Sequence, residues 1–373
     1  MVSLPVIEIS GSPRERGRAH GEGLRALVRD RDARWRQEIE TDYATPADAF
    51  IQRFLAETRF IPAIQRWTPA LLDEVLGIAE GAGLPYERVL ACQFMDEEWW
   101  WAEPLRQRHH CSGFAALHRG GSIAGQNMDL GSWMDGFQAL LHVRDRALGL
   151  DSYILTCAGM IGLCGMNSAG LGLCVNTLLD LNHRGDGLPV AFVTRGTLEH
   201  RSLAEAAAFL NAVPHASGQN FILAEAGALA DFECSAAGAV RVPLPTPGRV
   251  WHTNHALASA DLDPAHGGSG WADSGRNSSA RFAAVERRLA AAGSTVDFAT
   301  AKAVLASKDD ARDPISRRKL REDGTPVKTF TFASVIWELG AEAVAHVAPG
   351  APCSHEYQRF GCAEPAARRA VAP

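Results

Sequence analysis

The stretch "RHHCSGFAALHRGGSIAGQNMD", residues 108–129, gathers reactive side chains at close spacing: His109, His110, Cys111, His118 and Asp129. Three chemistries fit these residue types. A zinc site would draw on the histidines and the cysteine. Neighbouring strand residues point to opposite faces, so His110 and Cys111 are badly placed to share one ion, and no Cys-x-x-Cys or His-x-x-x-His pair supports it. A cysteine–histidine dyad would need the thiol at a helix N-terminus or its equivalent. "CSGFAAL" followed by Gly-Gly reads as a strand, and the local signatures of papain-like and caspase-like enzymes are missing. In the third chemistry Cys111 becomes a chain terminus. A free α-amine, with an ordinary pKa of about 7.7–8.0, is then its own base for the adjacent thiol. That requires a cut between His110 and Cys111, which the same thiol can make by attacking the preceding carbonyl. The residues alone leave these readings open, beside the plain one of Cys111 as a small strand residue.

The surrounding pattern says what must position this stretch. Residues 14–40 read as a surface helix after the turn "SGSP", and 46–66, 69–80 and 86–101 as further helices, the last ending in Trp99, Trp100 and Trp101. From Cys111 onward the chain turns to short apolar runs bounded by Gly, Asp or Arg: 111–117, 122–130, 137–145 and 152–159, then a strand pair turning at "NSAG". Helices near 189–199 and 202–212 follow, then strands near 219–224, 230–234, 239–243 and 249–253, helices at 278–292 and 297–307, and a strand pair near 329–337 and 342–347. Blocks of strands alternating with blocks of helices predict stacked antiparallel layers rather than βαβ units. The segment 258–277 reads as a long loop, a flap or mobile segment.

Composition narrows the function classes. The 373 residues are 46% hydrophobic and 21% charged with a net charge of −6, so a nucleic-acid footprint is not expected. No apolar run reaches the length of a membrane span, and the start lacks a basic segment followed by an apolar core. Most of the eight cysteines sit inside apolar runs, as buried reduced thiols do; the expected location is cytoplasmic.

"CSGFAALHRGGSIAGQNMDL" resembles the start of the mature catalytic chain in the acyl-coenzyme A:6-aminopenicillanic acid acyltransferase family, autoprocessed cysteine N-terminal nucleophile hydrolases. There a Cys-Ser or Cys-Thr start leads to Gly-Gln-Asn-x-Asp, here Gly125 to Asp129. "ISGSPRERGRAHGEGLR", "GMNSAGLGLCVNTL", "WHTNHAL" and "NSSARFAAVERRL" are similar to four further family segments in the same order, so the likeness spans roughly residues 7–347. One departure is His110, where a fungal relative has Gly.

The resemblance implies an α+β, four-layer αββα sandwich made as a precursor. Residues 1–110 would remain bound as a small subunit, and 111–373 would form the catalytic chain. It implies Cys111 as nucleophile, Asp129 as holder of the new α-amine, Asn254 as oxyanion donor with Asn176 lining the same pocket, and Arg281, at the start of a late helix, pairing with Asp129 or steadying the thiolate. Trp99, Trp100 and Trp101 would wall an acyl pocket. The expected activity is acyl transfer from a small amide or thioester, coenzyme A esters included, to water or an amine. No metal or redox cofactor is implied. The competing reading is a non-catalytic binding module, or stalled precursor, with the same fold. Cys111→Ala is expected to leave a single uncut chain of 40.1 kDa by intact mass; a Cys111→Ala protein still cut at 110/111 would assign the cut to an outside protease.

Overall fold

The computed structural model describes residues 4–102, 111–264, 269–321 and 323–362, without the side chains of 269–274. His110 and the expected cut lie outside the described residues.

The N-terminal segment opens with a strand, β1 (Val6–Ser10), which the sequence pattern did not announce. Ser12 then caps α1 (Pro13–Gly23): its hydroxyl accepts from the Glu15 N–H, and the Glu15 carboxylate accepts from the Ser12 N–H. The single helix expected over 14–40 is two, α1 and α2 (Arg25–Tyr43), broken at Leu24. The helix expected over 46–66 is likewise α3 (Ala47–Glu57) and α4 (Phe60–Trp67). Then come α5 (Pro69–Ala82), α6 (Tyr86–Cys92) and α7 (Met95–Ala102).

The glycines of "GRAHG" have a packing reason. Gly17 and Gly21 of α1 face Gly77 and Gly81 of α5, and a Cβ added at any of the four would overlap a backbone carbonyl of the other helix. The two backbones therefore touch directly. The same crossing carries a buried charge cluster, in which Glu74 of α5 pairs with Arg16 of α1 and, at 2.6 Å, with Arg195.

From Ser112 the chain builds β2 (Ser112–His118), β3 (Gly121–Gly131), β4 (Gln138–Asp145), β5 (Leu150–Cys157), β6 (Cys164–Asn167) and β7 (Gly172–Thr177). Helices α8 (Val190–Leu198) and α9 (Leu203–Ala212) follow. Next are β8 (Gln219–Glu225), β9 (Ala228–Ser235), β10 (Gly238–Arg241) and β11 (Arg249–His252). The chain ends with α10 (Ser269–Ala291), α11 (Phe298–Leu305), β12 (Thr329–Gly340), β13 (Ala343–Ala348) and β14 (Gln358–Gly361). The loop expected over 258–277 is thus helical from Ser269 onward.

These strands form two sheets. One has eight strands in the order β1-β4-β5-β6-β7-β8-β9-β10, and the other six in the order β11-β2-β3-β12-β13-β14. The sheets pack face to face, α8 and α9 cover the first, and α10 and α11 cover the second. This is the expected αββα sandwich. Residues 4–102 do not form a separate unit, because β1 pairs in parallel with β4 at the edge of the eight-stranded sheet. The side chain of Gln93 also bonds the loop after β5, donating to the Gly159 carbonyl and accepting from the Ile161 N–H, both at 2.8 Å. No helix among the described residues is long and apolar enough to cross a membrane.

Gly77→Ala should push α1 and α5 apart and cost about 1–3 kcal/mol, the usual range for overpacking. Urea denaturation reads this directly; an unchanged midpoint would mean that the two backbones do not touch in solution.

Candidate active site

Strand β3 sets the site by alternation. Gln126 points toward the eight-stranded sheet, where its side chain pairs with both backbone groups of Val175, accepting the N–H at 3.0 Å and donating to the carbonyl. Asn127 points the other way. Its amide donates to the carbonyls of Leu305 at 2.9 Å and Ile315 at 2.8 Å, and its oxygen accepts from the Ser334 hydroxyl at 2.6 Å. Successive side chains thus stitch β3 to the layers on either side. Met128 and Asp129 inherit the same two directions.

Cys111 immediately precedes β2, whose register on β3 sets Ser112 opposite Asn127 and so brings Cys111 beside Met128. Its Sγ lies 3.7 Å from the Met128 sulfur and 3.9 Å from the Asp129 carbonyl. The thiol is buried, and burial, with Asp129 nearby, pushes its pKa up to about 12. It opens into a narrow cavity, where Met128 and Leu130 meet Met95 and Trp99 of α7, Val175 of β7 and Val190 of α8.

Asp129 is fully buried, and neither carboxylate oxygen has a hydrogen-bond partner among the described residues. Burial raises its pKa to about 7, against the pull of Arg317, the nearby Thr331 hydroxyl and Arg281. A buried, unbonded carboxylate is costly.

Arg281 lies in the middle of α10, not at a helix start, and is completely buried. One amino group donates to the Cys111 carbonyl at 2.5 Å and to the Ser112 hydroxyl at 2.9 Å; the other donates to Asn254 Oδ1 at 2.9 Å, and Nε donates to Asn277 at 2.9 Å. Burial lowers its pKa to about 10, which leaves it charged near neutrality. Among the described residues it makes no ion pair with Asp129; the expected pairing is replaced by a clamp on the carbonyl of Cys111.

Asn254 follows β11 by two residues. Its Nδ2 donates to the Thr177 carbonyl at 2.9 Å, and its backbone N–H donates to Ser278 Oγ at 2.8 Å. Its loop is held by carboxylates: Glu233 accepts the N–H groups of Leu257, Ala258 and Ser259, and Asp180 accepts that of Ala256. Asn176 does not line the cavity. It alternates with Val175 and Thr177, which do, so it faces Gly113 and donates to Asn220 at 2.9 Å. Of the tryptophans, only Trp99 lines the cavity. Trp100 lies against the ring of His183, while Trp101 packs on Phe50 and Phe54 and donates to Glu57. His118 closes the far end of β2.

Sequence reasoning missed the acids of "MDEEWWW". Asp96, Glu97 and Glu98 are all buried, and each ties α7 to a different partner. Asp96 accepts from Thr177 and Gln219, both at 2.8 Å; Glu97 accepts from Ser217 at 2.6 Å and from the Val190 N–H at 2.9 Å; Glu98 accepts from Trp35 at 3.0 Å. Burial raises all three pKa values, to about 6, 8 and 7 respectively. The available signal was a run of three acids between Phe94-Met95 and three tryptophans, too apolar a setting for an exposed helix face.

The acyl-coenzyme A:6-aminopenicillanic acid acyl-transferase family model matches residues 118–335, well over half of the chain. The chain belongs to this family. It is accordingly an enzyme of the acyltransferase kind. Among curated relatives, the 40 kDa form of acyl-coenzyme A:6-aminopenicillanic-acid-acyltransferase from Emericella nidulans is 27% identical over 262 residues, 67% of this chain and 69% of the relative. Among solved structures, the R18L variant of conjugated bile acid hydrolase from Clostridium perfringens matches at 11% identity with a TM-score of 0.41, covering 68% of this chain and 97% of that one. Penicillin V acylase from Agrobacterium tumefaciens matches at 14% identity with a TM-score of 0.35, covering 67% and 86%.

The state of Asp129 has a measurable sign. Its folded pKa, about 7, stands above the ordinary carboxylate value of about 3.9. The fold therefore favours the protonated acid, and stability falls as pH rises from about 4 to about 7. In an uncut Cys111→Ala background, Asp129→Asn should be more stable than Asp129, by little near pH 4 and by about 4 kcal/mol above pH 7. Chemical denaturation across that range checks it; a difference independent of pH would place a partner on the carboxylate.

Proposed function

We propose that the chain is a self-processing acyl-transfer enzyme in which Cys111 is the nucleophile and carries the acyl-enzyme. The observation that carries this reading is a buried thiol opening into a largely apolar cavity, beside an unpartnered buried carboxylate and with its own carbonyl clamped by Arg281.

In maturation, the Cys111 sulfur attacks the carbonyl carbon of residue 110. A C–S bond forms, the C–N bond breaks, and the nitrogen leaves as the Cys111 α-amine with the thiol's proton. Water then cleaves the thioester, returning the thiol and leaving a carboxylate on residue 110. The new ammonium gives Asp129 the partner it lacks. It also places a positive charge beside the thiol, opposing the burial and the Asp129 charge that hold the uncut thiol neutral.

In turnover the neutral α-amine takes the thiol proton, and the thiolate attacks the acyl carbonyl. The oxyanion is stabilised by Asn254 Nδ2, which Arg281 orients through the amide oxygen. One such donor is worth roughly 3–4 kcal/mol of barrier. Collapse expels an amine, protonated by the α-ammonium, or a thiolate; water or an amine then resolves the acyl-enzyme. Asn176 supports the floor beneath Gly113 rather than donating to the oxyanion. The substrate is a small N-acyl amide or acyl thioester, coenzyme A esters included, as the largely apolar lining of the cavity and the Emericella nidulans relative's name support.

Mass spectrometry of the processed enzyme with a panel of chromogenic N-acyl amides and acyl thioesters should find the acyl group on Cys111. An extra alanine ahead of Cys111 in a two-chain version should lower turnover by more than about 100-fold while the thiol stays alkylatable. Turnover that survives the extension would point to a side-chain base. An added amine that raises product rate without changing donor preference assigns transfer over hydrolysis.

A further inference from the structure

Among the described residues, Asp96 and Cys111 are the only ionisable side chains lining the cavity; the rest of the wall is mainly Met, Leu, Val and Trp. Asp96 is 6% exposed, and one of its oxygens, Oδ2, accepts from both Thr177 and Gln219. No cation pairs with it among the described residues. Glu74 is paired with Arg16 and Arg195, while Glu97 and Glu98, which accept from neutral donors, do not line the cavity; Asp96 does. A carboxylate facing an apolar cavity without such a partner is suited to a cation that arrives with the ligand.

We propose that Asp96 is a specificity-determining residue that selects substrates whose acyl portion carries a positively charged amino group, seating that ammonium against its carboxylate inside the Cys111 cavity. This rests on the reading of Cys111 as the nucleophile. The acyl group is assigned to the cavity because it alone stays bound through the acyl-enzyme; the leaving group must depart and a second nucleophile enter. A volume walled by α7, α8 and the ends of both sheets suits the group that is retained. Burial raises the Asp96 pKa only to about 6, so an ammonium arriving at neutral pH meets a charged carboxylate. The apolar stretch between Asp96 and Cys111 would take the methylenes joining the ammonium to the carbonyl.

The test uses processed enzyme and pairs of 4-nitroanilides of equal acyl length, one ending in an ammonium and the other in a methyl group, from two to six carbons. At the best length the ammonium member should exceed the methyl member in kcat/KM by about 30-fold, the scale of a charge-assisted contact. Asp96→Asn keeps an oxygen for Thr177 and Gln219 but removes the charge. It should bring the ratio below about 3, the cationic donor losing at least about 10-fold more than the methyl member. A wild-type preference for the methyl member, or a ratio untouched by Asp96→Asn, overturns the proposal. A second measurement needs neither turnover nor a stable variant: n-butylammonium should slow alkylation of wild-type Cys111 more than n-butanol does. Equal protection by the two overturns the proposal. If no anilide acylates Cys111 although butylammonium protects it, the nucleophile reading fails and the cation site stands. Acylation by methyl members without an ammonium preference leaves Cys111 as nucleophile and sinks the role of Asp96.

Discussion

The structure depends on a two-sided stitch in one buried strand. On β3, Gln126 is bonded across the sandwich to the backbone of β7, and Asn127 is bonded outward to the carbonyls around α11. A strand whose consecutive side chains are committed to opposite layers cannot slip by one residue without breaking both sets of bonds. That fixed register puts Met128 beside Cys111 on the cavity side. It leaves Asp129 on the helix side, buried and with no hydrogen bond to its carboxylate among the described residues. The family's Gly-Gln-Asn-x-Asp run is therefore mostly architecture, with one position left unsatisfied, as reactive positions tend to be.

Charge is handled differently in the packing regions and around the cavity. Glu74 is compensated by two arginines, and Glu233 by His252 and three backbone N–H groups. Asp129 and Asp96, the acids beside Cys111 and its cavity, are paired with no cation among the described residues. Arg281 is spent on neutral groups, the Cys111 carbonyl, the Ser112 hydroxyl and the side chains of Asn254 and Asn277, so its charge is oriented rather than cancelled. Fixed dipoles and uncompensated charges in a dry site are the arrangement that stabilises developing charge.

Much of the layer order was legible because strand and helix periods differ and glycine turns separate the runs. The breaks at Leu24 and at Thr58–Arg59 were not read, although Gly23 stands directly before the first and Pro62 shortly after the second, because the residues around both are polar and helix-favouring. Strand β1 escaped notice because five residues with an exposed, alternating face look like a leader to α1. Cys111, Asp129, Asn254 and Arg281 were nameable through their motifs. Which face each side chain takes was not, and this is why Asn176 was expected in the cavity and Arg281 on either Asp129 or the thiolate. The glycines of α1 stood out in the sequence, but their reason sits sixty residues away on α5. Asp96 was hidden by its tryptophan neighbours, which drew attention to packing.

The placement of β1 bears on how two pieces of this chain could coexist. Its hydrogen bonds to β4 make the N-terminal segment an edge of the eight-stranded sheet, and its helices share one continuous core with strands on both sides of residue 111. A break between residues 102 and 111 would therefore be a nick in a finished globule rather than a division into subunits. With sheet and core shared in this way, holding together and staying folded would be one equilibrium for the two pieces, so dilution of a nicked chain would favour unfolding, and separately made halves would have to fold around one another to meet at all.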